Sequence, residues 1–325
     1  MAFPLSPSFL RLTILLGMML ALPERLFADD AQAEALLKQG RVDEAAAMLK
    51  RALTTDPHDA RAHQLLCRVD YAQEIAEPAV RECEQATQED PSNSDYQMWL
   101  GRAYGLKASQ AHMIVAFGLA KKVHLAFERA IQLNPANVTA MSDLGHFYVD
   151  APAIVGGGLD KAETLAPQLM ASSPARGHWL LAMIAKKKND MATAESEFKS
   201  AVAAGKTPEA WVDLGLFYQQ TSQYDKAVAA LDSSVDANRT KNAALVDAAS
   251  ILTEMHRQAD LSERLLRDYL ASPAKSDDAP AFKVHQQLGK LLAQRGDTPG
   301  AQREYVAAAA LAPNYAPARK AAQGM

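Results

Sequence analysis

The sequence predicts an all-α fold, a right-handed superhelical solenoid of about seven to eight helical hairpins. Three observations predict it. A set of small and large apolar residues returns about every 34 residues, and a proline closes most of these units. No segment of the 325 residues alternates apolar and polar side chains as a strand does. Aromatic residues make up only 6% of a chain that is 49% hydrophobic, so alanine supplies much of the core, as closely packed helices require.

One unit shows the pattern most clearly. Trp211, Leu214, Gly215 and Tyr218 are spaced along one predicted helix, and Ala227 falls on the helix after it. Small residues belong where the two helices of a hairpin approach closely, while larger side chains fill the gaps between helices. A proline lacks the backbone N–H group and disfavours helix in the residue before it, so it ends the second helix.

The same spacing recurs in phase along most of the chain. It includes Leu66, Ala79 and Pro91; Leu100, Gly101 and Pro135; Leu144, Gly145 and Pro174; Leu181, Ala194 and Ala201; and Leu288, Gly289, Ala301 and Pro313. Two units carry insertions, near residues 105–122 and 150–158, which we expect to form loops between helices. Residues 241–278 match the pattern poorly and predict a degenerate hairpin that ends in a linker. Residues 29–315 are therefore assigned to the solenoid and residues 316–325 to a capping helix or a tail.

The first 28 residues have the composition of a secretory signal peptide. Arg11 precedes the apolar run 12–22, and Ala28 offers a small residue before a cleavage point. The run is shorter than the roughly 20 residues of a membrane-spanning helix, so we expect no stable span after cleavage. An uncleaved anchor is the alternative. The sequence thus predicts a periplasmic or secreted protein.

The repeats resemble the tetratricopeptide repeat (TPR) family. Residues 99–105, 116–122 and 147–158 further resemble exported bacterial TPR proteins, and the last of these segments is similar to TPR proteins associated with tripartite solute transporters. The resemblance implies a non-enzymatic scaffold of the bacterial cell envelope that binds a protein or peptide. Two alternatives stay open: an accessory protein of a solute transporter that binds a small ligand, and an all-α hydrolase.

Sequence motifs for catalysis, cofactors or metals are absent. We find no His-Glu-x-x-His, no Cys-x-x-Cys and no phosphate-binding loop, so we expect no cofactor, no metal and no enzymatic activity. The formal net charge of −4 gives no electrostatic basis for binding nucleic acid. Cys67 and Cys83 fall on the two helices of one hairpin, where they form either a disulfide or two buried thiols.

The first helices of the hairpins should line the inner face of the solenoid. Between the second and fifth units, basic residues outnumber acidic ones at the inner positions, although the whole chain is acidic. The interpretation is a groove for a partner that is acidic or ends in a carboxylate. The residues expected to contribute most to binding are Arg68, Arg102, His146, Trp179 and Lys186.

Overall fold

The computed structural model describes residues 30–324, and within that range every regular element is a helix. The helices are residues 30–38 (α1), Val42–Thr55 (α2), Ala60–Ala72 (α3), Ala76–Glu89 (α4), Ser94–Ser109 (α5), Met113–Leu133 (α6), Val138–Asp150 (α7), Leu159–Ser172 (α8), Pro174–Lys187 (α9), Met191–Gly205 (α10), Pro208–Gln220 (α11), Tyr224–Ala237 (α12), Ala244–Glu254 (α13), Ala259–Ala271 (α14), Ala281–Gln294 (α15), Thr298–Leu311 (α16) and Ala316–Ala322 (α17). The predicted signal peptide, residues 1–28, lies outside the described residues. Over residues 30–324 no helix combines the length and apolarity needed to cross a bilayer.

Consecutive helices pair as antiparallel hairpins, α1 with α2 through α15 with α16, and the hairpins stack side by side. The all-α solenoid prediction is confirmed. Glycine is required where the two helices of a hairpin meet. A Cβ atom at Gly101 would lie 2.5 Å from a ring carbon of Phe127, and one at Gly289 would lie 2.5 Å from a ring carbon of Tyr305. Both distances are shorter than any van der Waals contact, so the aromatic ring of the second helix occupies the space that glycine leaves.

A short turn with a proline and a cap residue separates the first four hairpins from one another. Pro57, Pro91 and Pro135 each stand two residues after a helix end, and a cap residue follows each proline by two positions. Asn93, for example, accepts hydrogen bonds through its side chain from the backbone N–H groups of Asp95 and Tyr96. The proline therefore ends one hairpin, and the cap starts the next.

The two insertions have different structures. The extra residues near 105–122 lengthen α5 and α6, and only residues 110–112 separate the two helices, so the expected loop is wrong there. No proline or acidic residue interrupts residues 105–122, and α6 reaches 21 residues. The second insertion is a loop with one 3-10 turn, Ala153–Val155, and its Gly156 has a φ of 105°. A Cβ atom at Gly156 would lie 2.5 Å from the His124 ring, so the loop packs closely on α6.

The solenoid closes on itself, which the sequence analysis did not foresee. One core cluster contains Leu37 and Leu49 from the first hairpin together with Phe282 and Tyr315 from the end of the chain. The Phe282 and Tyr315 rings meet edge to face with centroids 5.0 Å apart. Asn314 donates its backbone N–H to the Asp43 carboxylate over 2.8 Å. The first hairpin and the last helices therefore cover each other's apolar surface.

The segment 272–280, predicted as a linker, is fixed against both its own hairpin and the N-terminal half. The fully buried Tyr269 hydroxyl donates to the Ala279 carbonyl over 2.8 Å and accepts the Ser276 N–H over 3.0 Å. Asp277 then accepts two hydrogen bonds from the Arg68 guanidinium, at 2.7 and 3.0 Å. Both side chains are about nine-tenths buried. This ion pair is a bidentate clamp between α3 and the segment that leads into α15.

Cys67 of α3 and Cys83 of α4 are joined in a disulfide, with Cα atoms 5.2 Å apart. Both residues are fully buried beside Trp99 and Met98 of the next hairpin. The bond therefore ties together the two helices of the second hairpin.

The clamp generates a prediction about stability. Removing one member of a buried ion pair leaves a buried charge uncompensated, so Arg68→Met and Asp277→Asn should each lower the free energy of unfolding by about 3 kcal/mol. The double variant should lose clearly less than the sum of the two, because its buried charges are both gone. Urea denaturation of the four proteins measures the coupling. Two small and additive losses would contradict a closing role for this pair.

The disulfide generates a second prediction. Protein recovered from an oxidising compartment and denatured without reductant should leave both cysteines unmodified by a thiol-alkylating reagent. Because the bridge closes a loop across a sequence separation of 16 residues, replacing both cysteines by serine should cost about 3 kcal/mol of stability. Alkylation of both thiols in the denatured, unreduced chain would refute the bridge.

Candidate partner-binding face

The first helices of the hairpins carry polar contacts between most neighbouring hairpins, while α3 and α5 meet through the Tyr71 and Trp99 rings. The contacts are Arg61 to Glu34, Arg102 to Asp143, Arg176 to Ser142 and Asp213, Lys187 to Asp150, Lys186 to Gln220, Gln219 to Glu254, and Gln287 to Ser250. Lys283 of α15 completes the series with an ion pair to Glu74, which follows α3. These residues define the inner face of the closed solenoid. Each contact fixes the register of two neighbouring hairpins.

A cavity of ≈ 990 Å³ opens on the inner face beside Trp99. The Trp99 ring meets Tyr71 edge to face at 5.5 Å, and the Arg102 guanidinium stands 4.9 Å from its centroid. Arg102 also donates from Nε to Asp143 over 2.7 Å. His146 and Asp278 lie on the rim of this Trp99 cavity. It therefore combines aromatic walls with charges of both signs.

A second cavity, of ≈ 600 Å³, lies beside Trp179. The Arg176 guanidinium makes a cation–π contact with the Trp179 ring, and its Cζ atom lies 3.9 Å from the ring centroid. Met183 and Leu216 supply apolar wall, while Lys186 and Lys187 stand at the edge. The Trp99 and Trp179 cavities share His146 and Asp150, so they are neighbouring parts of one surface.

Four of the five predicted binding residues line these two cavities. Arg102 and His146 border the Trp99 cavity, and His146, Trp179 and Lys186 border the Trp179 cavity. His146 is exposed, and its Nε2 lies 3.0 Å from Asp150. Trp179 itself is only 9% exposed, so its ring forms wall and offers little free surface.

Arg68 is the exception, and here the structure corrects the sequence analysis. Its side chain is buried in the clamp with Asp277 and has Glu34 3.6 Å away. The neighbouring carboxylates raise the pKa of Arg68 against the opposing effect of its burial. The Nε and Nη2 donors that would bind a partner carboxylate in bidentate geometry are occupied by Asp277. Arg68 therefore joins two parts of the fold and offers little exposed surface to a partner.

The basic character expected for the inner face is also corrected. Arg102 and Arg176 are paired with Asp143 and Asp213 of the chain itself. The sequence analysis missed both aspartates, which stand at the sixth position of their units, one residue after an inner position. A comparison of each inner arginine with the acidic residues of the unit that follows it could have found both aspartates. It also missed Asp278, because the segment that carries it was taken for a linker.

Two further carboxyl groups of this face have altered acidity. Burial raises the pKa of Asp213 to about 6, although the positive charge of Arg176 opposes the shift. The pKa of Asp247 is also raised to about 6, because the group is buried and lies near the negative charge of Asp278. Burial lowers the pKa of Arg176 in turn. The C-terminal half of the inner face therefore gains negative charge as the pH rises through about 6.

Metal binding finds no support in the described part of the chain, where no group of three or more His, Cys, Asp or Glu side chains could hold an ion. The inner face offers aromatic walls, apolar pockets and paired charges. This is the chemistry of a binding surface for an extended segment or a small organic ligand.

Comparisons with known proteins agree with this geometry. Family models described as tetratricopeptide repeat match residues 36–103 and residues 172–243. No curated protein has a significantly similar sequence. Among solved structures, the chain is similar to yeast Tom70, with 15% identity and a TM-score of 0.52 over 87% of this chain and 57% of that one.

Two other solved structures are similar over large parts of the chain. One is TTC0263, a thermophilic TPR protein of Thermus thermophilus, with 20% identity and a TM-score of 0.45 over 69% of this chain and 99% of that one. The other is the APC/C hetero-tetramer Cut9–Hcn1, with 14% identity and a TM-score of 0.40 over 90% of this chain and 54% of that one. The chain spans little more than half of the matched chains of Tom70 and Cut9–Hcn1. The two repeat matches and the hairpin geometry show that the chain belongs to the tetratricopeptide repeat family.

Proposed function

We propose that the chain is a non-enzymatic scaffold that binds a protein or peptide segment on its inner face. TPR solenoids are interaction surfaces because stacked hairpins present a continuous wall of first helices. The observation that carries the proposal is the pair of adjoining cavities around His146, where aromatic and apolar wall is bordered by exposed cations. A segment laid across both cavities would bury apolar side chains against Met183 and Leu216.

The partner's charge is proposed from the cations that the chain does not bury. Arg68, Arg102 and Arg176 are held by internal carboxylates, whereas Lys186 reaches the edge of the Trp179 cavity from a partly exposed position. Lys187 stands at the same edge and is about half exposed, and it pairs with Asp150 over 3.3 Å. Lys186 donates to the neutral amide oxygen of Gln220, so its charge is not neutralised by that contact. An acidic side chain or a free C-terminal carboxylate of the partner would bind there.

The location is part of the same proposal. The apolar run 12–22 and the disulfide between Cys67 and Cys83 both favour the bacterial cell envelope, because disulfides persist in oxidising compartments. A periplasmic or secreted protein is the form in which we propose that the scaffold works.

A second candidate is an accessory protein of a solute transporter. The Trp99 cavity favours it, because ≈ 990 Å³ with aromatic walls suits a small organic ligand. Affinity capture from envelope extracts separates the two candidates. Stoichiometric recovery of a solute-binding protein would favour the transporter accessory protein. A separate activity assay addresses the hydrolase alternative: turnover of a glycan or peptide that one Asp or Glu substitution abolishes would favour it.

The scaffold proposal predicts a charge-dependent affinity. In a library of short peptides synthesised with free and with amidated C-termini, we expect the chain to prefer the free carboxylates. Lys186→Glu should weaken their binding by roughly tenfold, because the ligand's charge then meets a like charge. Lys50→Glu, an equal charge change on the exposed surface of α2, is the matched control.

Fluorescence anisotropy at low and high salt measures these affinities. Binding that is equal for free and amidated peptides, and equal in both variants, would contradict the carboxylate proposal. The absence of any peptide binding, with retention of a small solute in the Trp99 cavity, would replace the scaffold by the second candidate.

A further inference from the structure

The junction between α5 and α6 exposes an apolar tip, formed by Met113, Ile114, Val115 and Phe117. Their side chains are 73%, 86%, 54% and 40% exposed. Large apolar residues with such exposure are otherwise scattered singly over the described residues, whereas four of them stand here within five consecutive positions. Contiguous apolar surface of this kind marks an interaction site in a soluble protein.

Hairpin packing does not require the tip. The residues of α6 that pack into the core begin at Leu119, so the first two turns of the helix extend beyond the hairpin. The tip is nevertheless held in place. Ala108 and Ala111 pack on the core, and Gln110 donates its side-chain amide to the Glu74 carbonyl over 2.9 Å. The apolar side chains are therefore presented on a fixed, convex protrusion.

The charged residues of the chain segment that forms the tip are all basic. Residues 105–127 contain no Asp or Glu, although the whole chain has 38 acids in 325 residues. The same stretch carries Lys107, Lys121 and Lys122, and both Lys121 and Lys122 are exposed. Lys107 and Lys122 pair with Glu77 and Glu84 of α4, so Lys121 is the exposed cation of this stretch for which no carboxylate contact is found among the described residues.

We propose that this tip docks on the surface of an anionic lipid bilayer. Met113, Ile114, Val115 and Phe117 enter the boundary between headgroups and acyl chains, and Lys121 and Lys122 contact the anionic headgroups. A convex apolar end with lysines one to two turns behind it matches the depth profile of an interface, in which apolar side chains lie deeper than basic ones. The exposed Lys121 and Lys122 complement anionic lipid.

None of the four apolar side chains of the tip lines the Trp99 or the Trp179 cavity, although Leu106 and Ser109 at the end of α5 line the first. The docking proposal rests on the tip residues alone and does not depend on the nature of the partner.

The first test reads the environment of the tip itself. The full chain with Ile114→Cys accepts a single environment-sensitive fluorophore, since Cys67 and Cys83 are joined in the disulfide. Vesicles of phosphatidylcholine mixed with phosphatidylglycerol should shift its emission to the blue, and vesicles of phosphatidylcholine alone should shift it much less. The same label at Val306→Cys, an exposed apolar site on α16, is the control and should not respond. Because the label reports one position, binding through another part of the chain cannot imitate the result.

The second test measures partition. Ile114→Glu combined with Phe117→Glu should weaken binding to the mixed vesicles by roughly tenfold, whereas Val306→Glu should bind as the unaltered chain does. All three positions are exposed, so circular dichroism should show the same helix content in every variant. An unshifted label at position 114 on anionic vesicles would overturn the proposal. So would a shift that appears without lipid as the protein concentration rises, because the tip would then be an interface between copies of the chain.

Discussion

The bidentate ion pair between Arg68 and Asp277 joins residues 209 positions apart and fixes the arrangement on which the rest of the structure depends. A hairpin of two amphipathic helices has apolar surface on both flanks, and a linear stack leaves one flank uncovered at each end. In this chain the two ends cover each other, with Phe282 and Tyr315 packed in one cluster with Leu37 and Leu49. At that junction the clamp joins α3 to the segment before α15, and the apolar cluster joins the first hairpin to the last helices.

Closure determines the character of the inner face. Several arginines of the first helices are paired with carboxylates from the neighbouring hairpin or from the segment 272–280. Arg102 with Asp143 and Arg176 with Asp213 are two of these pairs. The two cavities adjoin at His146 and Asp150, and they are lined mainly by the third to sixth hairpins.

The repeat pattern predicted the hairpins well because it reflects local packing. Gly101, Gly215 and Gly289 stand where no Cβ atom fits, and that requirement is visible in a single unit of sequence. Closure could not be predicted in the same way. It depends on the sum of small rotations between eight hairpins in the described range, and no single unit encodes that sum. The error over Arg68 has the same origin, because its partner Asp277 comes from the opposite end of the stack.

The central claim is that the first and last hairpins are in contact in the free protein. The most direct test is the distance between two spin labels, placed at Glu44 and Ala316 beside the contact between Asp43 and Asn314. Pulsed electron paramagnetic resonance measures that distance. The structure predicts a single short and narrow distance distribution at neutral pH. A broad distribution centred at distances typical of opposite ends of an open superhelix would contradict closure, and with it the account of the inner face.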